Sequence, residues 1–266
     1  VRSREDFANF PINLKGLPIL IAADPAVFEF SSDDVFGLSE KEILKKVYSL
    51  VNRDYVGYQH AFNSNKFLGR FTVKKSFKQI VEKIISQNRS VFAEVAKIRE
   101  KYKTVGAFQT RNIPHFGHEK IIQHMLEVCD HVVINPVIGP KKSGDVKLEV
   151  LELIYEYLIS HKYERRISFL PIFANMFYAG PNEALHHAIL RQKIGFDIFS
   201  VGRDHAGAQG VYSPTSAVAK LAESEKNLNI KILGHKGAVF CDPCNSAVLF
   251  GECDHDVKQY KDIAGT

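Results

Sequence analysis

Val105-Gly106-Ala107-Phe108-Gln109-Thr110-Arg111-Asn112-Ile113-Pro114-His115-Phe116-Gly117-His118 is the stretch on which the fold turns. Its first four residues are a short apolar run and predict a buried strand. Apolar spacing from about His118 to Val128 predicts a helix, and a polar loop lies between them. Outward from this unit the rhythm repeats. Residues 132–137 predict a strand, 146–161 an amphipathic helix, 167–172 a strand and 182–195 a helix. Residues 198–201 predict a further strand, which runs into Gly-Arg-Asp. Strands alternating with helices imply an α/β fold with a parallel sheet covered on both faces. In such sheets ligands sit at the carboxyl ends of the strands. The loops after Phe108, Val137, Ile172 and Val201 are therefore the places where a site belongs.

Upstream the pattern differs. Residues 18–30 read as an apolar strand, a turn at Asp24-Pro25 and a second short apolar stretch. Residues 39–51 (SEKEILKKVYSLV) have helical spacing, with Ile43, Val47 and Val51 on one face. Ser39 stands as the N-cap of that helix and Glu42 completes a capping box. Residues 67–73 (FLGRFTV) read as a strand interrupted by Gly69. From Phe77 a charge-rich helical stretch runs to about Lys103 and joins this N-terminal part to the main domain.

A chain of 266 residues is long enough for one large domain or two ordinary ones. Its 45% hydrophobic and 24% charged residues match a soluble globular protein. The longest apolar runs, such as 17–23, are far too short to span a bilayer. The first six residues lack the basic-then-apolar layout of a signal peptide. A net charge of +5 suits an anionic substrate, but 35 basic against 30 acidic residues is too mild an excess to argue for nucleic acid. Cys129 stands alone at the end of a helical pattern and reads as a core thiol. Cys241, Cys244 and Cys253 crowd together with His255, a plausible Cys₃His metal set. One residue between Cys253 and His255 is tight for two ligands of one ion, so His235 is a reserve for the fourth position.

The loop after the first strand carries the chemistry. A strand-to-helix loop receives the amides of a helix N-terminus, a ready anion site. His115 and His118 are three apart and can both face one ligand on such a turn. Imidazoles can donate hydrogen bonds to phosphate oxygens as negative charge builds up. Arg111 can hold a tetrahedral oxyanion through paired donors. The blander reading is a polar loop whose histidines merely cap the helix. Arg111-Asn112 directly after a strand weighs against it.

Gln109-Thr110-Arg111-Asn112 with His115 and His118 resembles the Gln-x-Arg-Asn-x-x-His-x-x-His signature of the ATP sulfurylases. Pro114 lies one place beyond the family's usual Pro, while Arg, Asn and both His keep their spacing. Pro136-Val137-Ile138-Gly139, with Lys142, Gly144, Asp145 and Val146, resembles the family's second loop. Residues 178–184, with His187 and Arg191 after them, resemble a third motif. Gly202-Arg203-Asp204-His205-Ala206-Gly207 is similar to its most characteristic hexapeptide. Phe177 stands where many relatives have Arg, and Ser216 where Asp is usual.

The resemblance implies a Rossmann-like nucleotidyltransferase domain over residues 105–235, entered through a connecting helical segment at 77–104. It implies a partial PUA-like, β-rich domain over 1–76 and a small zinc-binding piece over 236–266, with both ends of the chain looking cut. The implied activity is that of a sulfate adenylyltransferase: sulfate attacks the α-phosphorus of ATP in line, giving adenylyl sulfate and pyrophosphate. By resemblance Gln109, Thr110 and Arg111 hold sulfate with the backbone near Ala206. Asn112, His115 and His118 contact the phosphates, and Arg203 the nucleotide and phosphate region. The loop of Gly202, Asp204, His205, Ala206 and Gly207 cradles the adenosine. Zinc is implied at Cys241, Cys244, Cys253 and His255 as a structural ion, and Mg²⁺ arrives with ATP. A cytoplasmic homo-oligomer, a dimer, is implied, with no nucleic acid and no membrane as partner. Two other readings compete. A related nucleotidyltransferase with another oxyanion or acceptor would fit His115 and His118 equally. A non-catalytic PUA-like RNA-binding protein would need a basic face with exposed aromatics, whereas the N-terminal basic residues are scattered among acids.

Overall fold

A computed structural model describes residues 28–30, 41, 44–50, 52–62, 71–73, 78–139, 146–163, 165–207 and 210–263. In chain order, β1 (Phe28–Phe30) is followed by a π-helical turn at Leu44–Tyr48, α1 (Val56–Phe62), β2 (Phe71–Val73) and the long α2 (Lys78–Lys101). Then come β3 (Val105–Phe108), α3 (Phe116–Val128), β4 (His131–Ile134), β5 (Val137–Ile138) and α4 (Leu148–His161). After these follow β6 (Ile167–Phe169), β7 (Ile172–Phe173), α5 (Pro181–Ile194), β8 (Ile198–Val201) and α6 (Ser216–Ser224). The last strands are β9 (Lys231–Gly234), β10 (Ala238–Cys241), β11 (Ser246–Leu249) and β12 (Tyr260–Asp262).

Five strands form the central sheet in the order β6-β4-β3-β8-β9, every pair parallel. The expected α/β architecture with a parallel sheet is therefore present. Connections from β3 run outward through β4 to β6, and the chain then returns to the other side of β3 with β8 and β9. The strand order reverses between β3 and β8, and the crevice beyond their carboxyl ends is where open α/β sheets bind ligands.

Alternation along the buried strands assigns each side chain to a face. Val105, Ala107, Val133, Phe199 and Val201 pack with Val91 and Val95 of α2, Ala184 and Ala188 of α5 and Leu221 of α6. Phe108, Val132, Ile134, Ile167 and Ile198 pack with Ile121, Ile122 and Met125 of α3 and Leu151 and Tyr155 of α4. Burying both faces explains why these strands read as nearly continuous apolar runs.

The connecting helix α2 is tied to the sheet by polar contacts at both ends of its reach. Asn88 mimics a strand neighbour: its amide nitrogen donates to Phe173 O and its oxygen accepts from Phe173 N, both at 2.8 Å. Arg99 donates to Gly195 O at 2.5 Å and pairs with Asp197 at 2.7 Å. Asp197 in turn accepts the Val105 amide at 2.9 Å, so one carboxylate links the start of β3 to the turn before β8.

Several expectations need correction. The stretches 132–137 and 167–172 are not single strands. The main sheet keeps only β4 and β6, and the residues beyond form a separate parallel ladder of β5 with β7. The breaks fall at Asn135-Pro136 and Leu170-Pro171, where proline has no amide hydrogen for a ladder. Within the span expected as one helix over 39–51, Leu44–Tyr48 is a π-helical turn, and Leu44 and Tyr48 are its buried residues. Ser39, Glu42, Ile43 and Val51 lie outside the described residues, as do residues 18–27 and Gly69. The helix expected from about His118 starts earlier, at Phe116. Sequence reading missed α6 and β9, the edge strand that completes the sheet.

Two further pieces flank the sheet. On one side Tyr48, Tyr55 and Tyr58 are buried against the α5 side of the core. Tyr55 donates to Tyr178 O, and Tyr212 to Tyr48 O at 2.8 Å. On the other side β11-β10-β12 form a small antiparallel sheet that lies along α3. There Lys120 of α3 pairs with Glu252 at 2.6 Å. No helix among the described residues is long and apolar enough to cross a membrane.

Gly106 sits where α3 ends against β3. A Cβ there would stand 2.6 Å from Cys129 Sγ and 2.9 Å from Met125 Cε. Overpacking of this kind costs about 1–3 kcal/mol. Gly106→Val is therefore expected to lower the urea midpoint by an amount in that range, and adding Cys129→Ala is expected to recover part of it. A Val variant as stable as wild type would show that α3 does not press on β3 in this way.

Candidate active site

The loop after β3 carries the first group of sequence-selected residues, and local hydrogen bonds shape it. Thr110 is buried; its hydroxyl accepts the Asn112 amide at 3.2 Å and lies 3.4 Å from His118 Nε2. His115 caps α3, its Nδ1 accepting the Gly117 amide at 3.1 Å. The His115 and His118 rings stand 4.0 Å apart, tilted by 39°. The two rings lie together, and one of them is the helix cap, as the blander reading expected. Burial lowers the His115 imidazole below its ordinary value, opposed by Asp262 of β12. Burial, reinforced by His115, pulls His118 down to about 3. His118 is then a neutral imidazole at pH 7, able to donate one hydrogen bond without carrying a charge.

Arg111 reaches from this loop across the switch point. One terminal nitrogen, Nη2, donates to Gly207 O at 3.0 Å, and the guanidinium carbon stands 5.2 Å from the centre of the Tyr178 ring. The other, Nη1, is buried and has no hydrogen-bond partner among the described residues. The side-chain oxygen of Gln109 is also buried and without a partner among the described residues. Leaving such groups unsatisfied is costly, and their presence together at the end of a buried strand marks a place for a polar ligand. A guanidinium selects an anion.

The loop after β8 meets Arg111 from the other side. Asp204 and Ala206 have φ of +52° and +55°, so the turn runs through left-handed backbone. A Cβ at Gly207 would collide with an Asp204 carboxylate oxygen, so any larger residue there would have to displace that side chain. The His205 imidazole turns inward: its Nε2 is 3.1 Å from His187 Nδ1, and burial pulls it down to about 3. The backbone of this loop is itself partly engaged: the Asp204 amide donates to Pro214 O and the Gly207 amide to Asp204 O. Arg203 is half-exposed and pairs with Asp262 of β12 at 3.4 Å. The structure thus joins Arg111 to Gly207 and His115 to His118, while Arg203 is held toward the C-terminal sheet. Asn112 is exposed. Lys142, Gly144 and Asp145 lie outside the described residues.

The third sequence motif lies underneath. Arg191 is fully buried, donates to Asn135 O at 2.8 Å and stacks 5.3 Å from the Phe199 ring, and burial lowers it to about 9. It therefore ties α5 to the end of β4. His187, 1% exposed, bridges to His205. Sequence reading noted both residues without a role. It included Glu183, the buried carboxylate between them and the Tyr178 turn, in the same motif without a role, and missed Asp262, the partner of Arg203. The acid at the third position of a helix was a visible signal for Glu183. Nothing local pointed to Asp262.

The cysteine cluster forms as the spacing suggested. Donor atoms of Cys241, Cys244, Cys253 and His255 all lie within 4.8 Å of one another, a set that could hold a metal ion. His255 Nδ1 stands 3.4 Å from Cys241 Sγ and 3.3 Å from Cys244 Sγ, and Cys253 Sγ is 3.7 Å from Cys241 Sγ. The single residue between Cys253 and His255 suffices because the ring turns its near nitrogen inward. His235 is elsewhere: its Nε2 is 3.1 Å from Ser200 Oγ and its ring lies against Gly202. Cys129 is a buried core thiol, as expected.

Comparison with known proteins shows the family to which the chain belongs. A family model described as ATP-sulfurylase matches residues 86–266. A sulfate adenylyltransferase of Pyrococcus abyssi is 35% identical over 237 residues, which are 88% of this chain and 62% of that protein. One from Ignicoccus hospitalis is 32% identical over 272 residues, 100% of this chain and 67% of that protein. A solved structure, hexameric APS kinase from Thiobacillus denitrificans, is 12% identical with a TM-score of 0.46, covering 65% of this chain and 32% of that one. That likeness is too slight to carry fold or function. The chain spans less than two thirds of the length of the Pyrococcus relative. With the match running through both motif loops and the cysteine cluster, the chain belongs to the ATP-sulfurylase family.

Proposed function

We propose that the protein is a sulfate adenylyltransferase. The observation that carries this reading is Arg111: a guanidinium braced between two strand-end loops with one buried terminal nitrogen unpaired. A sulfate oxygen bonds to the α-phosphorus of ATP, the bond to the bridging oxygen breaks, and pyrophosphate leaves with the electron pair. No proton has to move, so the site's task is positioning and charge neutralisation. Arg111, with Gln109 and the backbone at Ala206, holds the sulfate dianion. His118, neutral through burial, and His115 donate hydrogen bonds to the phosphates as charge passes to the leaving group. Asn112 and Arg203 line the phosphate side, and the loop from Gly202 to Gly207 cradles the nucleotide. Mg²⁺ enters as part of the ATP substrate.

The same reading makes the cysteine cluster a structural zinc site. Two thiolates at about 2.3 Å from a tetrahedral zinc stand about 3.8 Å apart, close to the 3.7 Å between Cys241 and Cys253. Three clustered thiols outside any disulfide suit a reducing cytoplasm. The reading also includes a homodimer, the division of the chain at 77, 105 and 236, and a PUA-like N-terminal part, of which the antiparallel β1–β2 pair is a fragment.

Zinc analysis of freshly purified protein is expected to give one ion per chain. Because metal binding contributes folding free energy directly, a strong chelator should release residues 238–262 to proteolysis before the central sheet loosens. Metal-free protein with an intact, protease-resistant C-terminal sheet would count against the site.

Arg111→Lys tests the sulfate clamp. Lysine keeps the charge but cannot meet two oxygens in one plane. Losing a charge-assisted pair costs on the order of 2–5 kcal/mol, or roughly 30- to 5,000-fold in rate. Pyrophosphate release from ATP with sulfate or molybdate is expected to fall within that range in the folded variant. Wild-type rates with both oxyanions would remove Arg111 from the site.

A further inference from the structure

Glu183 is the third residue of α5 and 2% exposed. Its carboxylate reaches back over the turn that precedes the helix. Oε1 accepts the Phe177 amide at 2.8 Å and Oε2 accepts the Ala179 amide at 2.9 Å. The residue between those straps is Tyr178, whose φ is +56°. A bulky side chain adopts left-handed backbone only where its surroundings enforce it. Here the enforcement comes from a bidentate buried acceptor.

Tyr178 matters because its ring is the platform under Arg111, 5.2 Å from the guanidinium carbon. The platform is also locked to the opposite loop: the Gly180 amide donates to Ala206 O at 3.1 Å, and Arg111 itself donates to Gly207 O at 3.0 Å. Carboxylate, strained turn, ring and guanidinium thus form one chain of contacts, ending at the unpaired Nη1.

We propose that Glu183 is the positioning residue of the oxyanion subsite, setting the plane of Arg111 through the Tyr178 turn without touching substrate. This rests on the sulfate reading above. A carboxylate is required because both atoms of the side-chain head must accept. Glutamine, of the same shape, would turn an NH₂ toward one of the two amides and release that strap. Burial raises the Glu183 acid to about 7, opposed by the backbone donors of Phe177, Ala179 and Tyr178 and by Arg111, so the folded turn tolerates a desolvated carboxyl to keep the straps. The same set of contacts predicts a selective effect. The ATP-phosphate groups His115 and His118 sit on the α3 loop, which Glu183 does not touch.

The experiment uses full-length chains of wild type, Glu183→Gln and Glu183→Asp. In Glu183→Gln the KM for sulfate is expected to rise about tenfold or more, with the KM for ATP changed less than twofold. Glu183→Asp, which keeps the charge but reaches only one amide, should fall between. Amide hydrogen exchange provides a readout independent of turnover. The amides of Phe177 and Ala179 should exchange at least about tenfold faster in Glu183→Gln, while those of β3 and β8 stay protected. Equal rises in both KM values, or unchanged exchange at the turn beside an active wild type, would overturn the proposal. A wild type that turns over neither sulfate nor molybdate would instead overturn the sulfate reading, and the oxyanion assignment of Glu183 with it.

Discussion

The parallel pairing of β3 with β8 is the constraint on which the site depends. Gly106 lies opposite Ile198, Ala107 opposite Phe199 and Phe108 opposite Ser200. This register brings the ends of two strands distant in sequence to the same level. Their following loops then share the crevice where the sheet reverses order. A slip of one residue would exchange the faces of every side chain in the strand. Phe108 would leave its packing with α3, and the loop carrying Arg111 would no longer meet Gly207. Asp197, which accepts the Val105 amide and pairs with Arg99, fixes the register at the opposite end of the same two strands.

From that constraint the charged and polar groups follow as a layered arrangement. Arg111 is held by one carbonyl and one aromatic face, which orient it and leave a donor over. Beneath it lie groups whose charge is suppressed by burial: His118, His187 and His205 are all driven toward the neutral form. A positive guanidinium above neutral imidazoles concentrates attraction for an anion at one point, where a row of charged histidines would spread it. The two flanking pieces are mechanically joined to this centre. The tyrosine cluster reaches it through Tyr55 and the Tyr178 carbonyl, and the cysteine-bearing sheet through Lys120–Glu252 and Arg203–Asp262. Loosening of the cysteine-bearing sheet would therefore be felt at Arg203 as well as at the C-terminal sheet itself.

Much of this was legible in the sequence, for identifiable reasons. Buried parallel strands are uniform apolar runs, so β3 and β8 declared themselves, and the loops after them held polar residues of unusual density. Cysteine spacing announced the cluster that could hold a metal ion, because three thiols and an imidazole lay within a short stretch of chain. The misreadings have physical causes too. Residues 132–137 read as one strand because apolar content was weighed above Pro136, which ends the ladder. The edge strand β9 starts with an exposed Lys231 and is only half-buried, so its hydrophobic signal was weak. The seat of Arg111 was out of reach because it requires a left-handed tyrosine, held by the nearby Glu183 together with contacts from Tyr55 and Ala206, both distant in sequence. His235 was a reasonable metal candidate by distance along the chain. Its actual place against Ser200 and Gly202 follows from β9 joining the sheet, which the sequence pattern had not revealed.

The central claim is that the crevice between β3 and β8 joins sulfate to the adenylyl group of ATP. The most direct test is to incubate the protein with ATP, Mg²⁺ and ³⁵S-labelled sulfate, with inorganic pyrophosphatase to draw the reaction forward, and to separate the nucleotides. Label appearing in adenylyl sulfate, with pyrophosphate formed in equal amount, is the expected result. Folded, zinc-loaded protein that leaves all label as free sulfate would contradict the assignment.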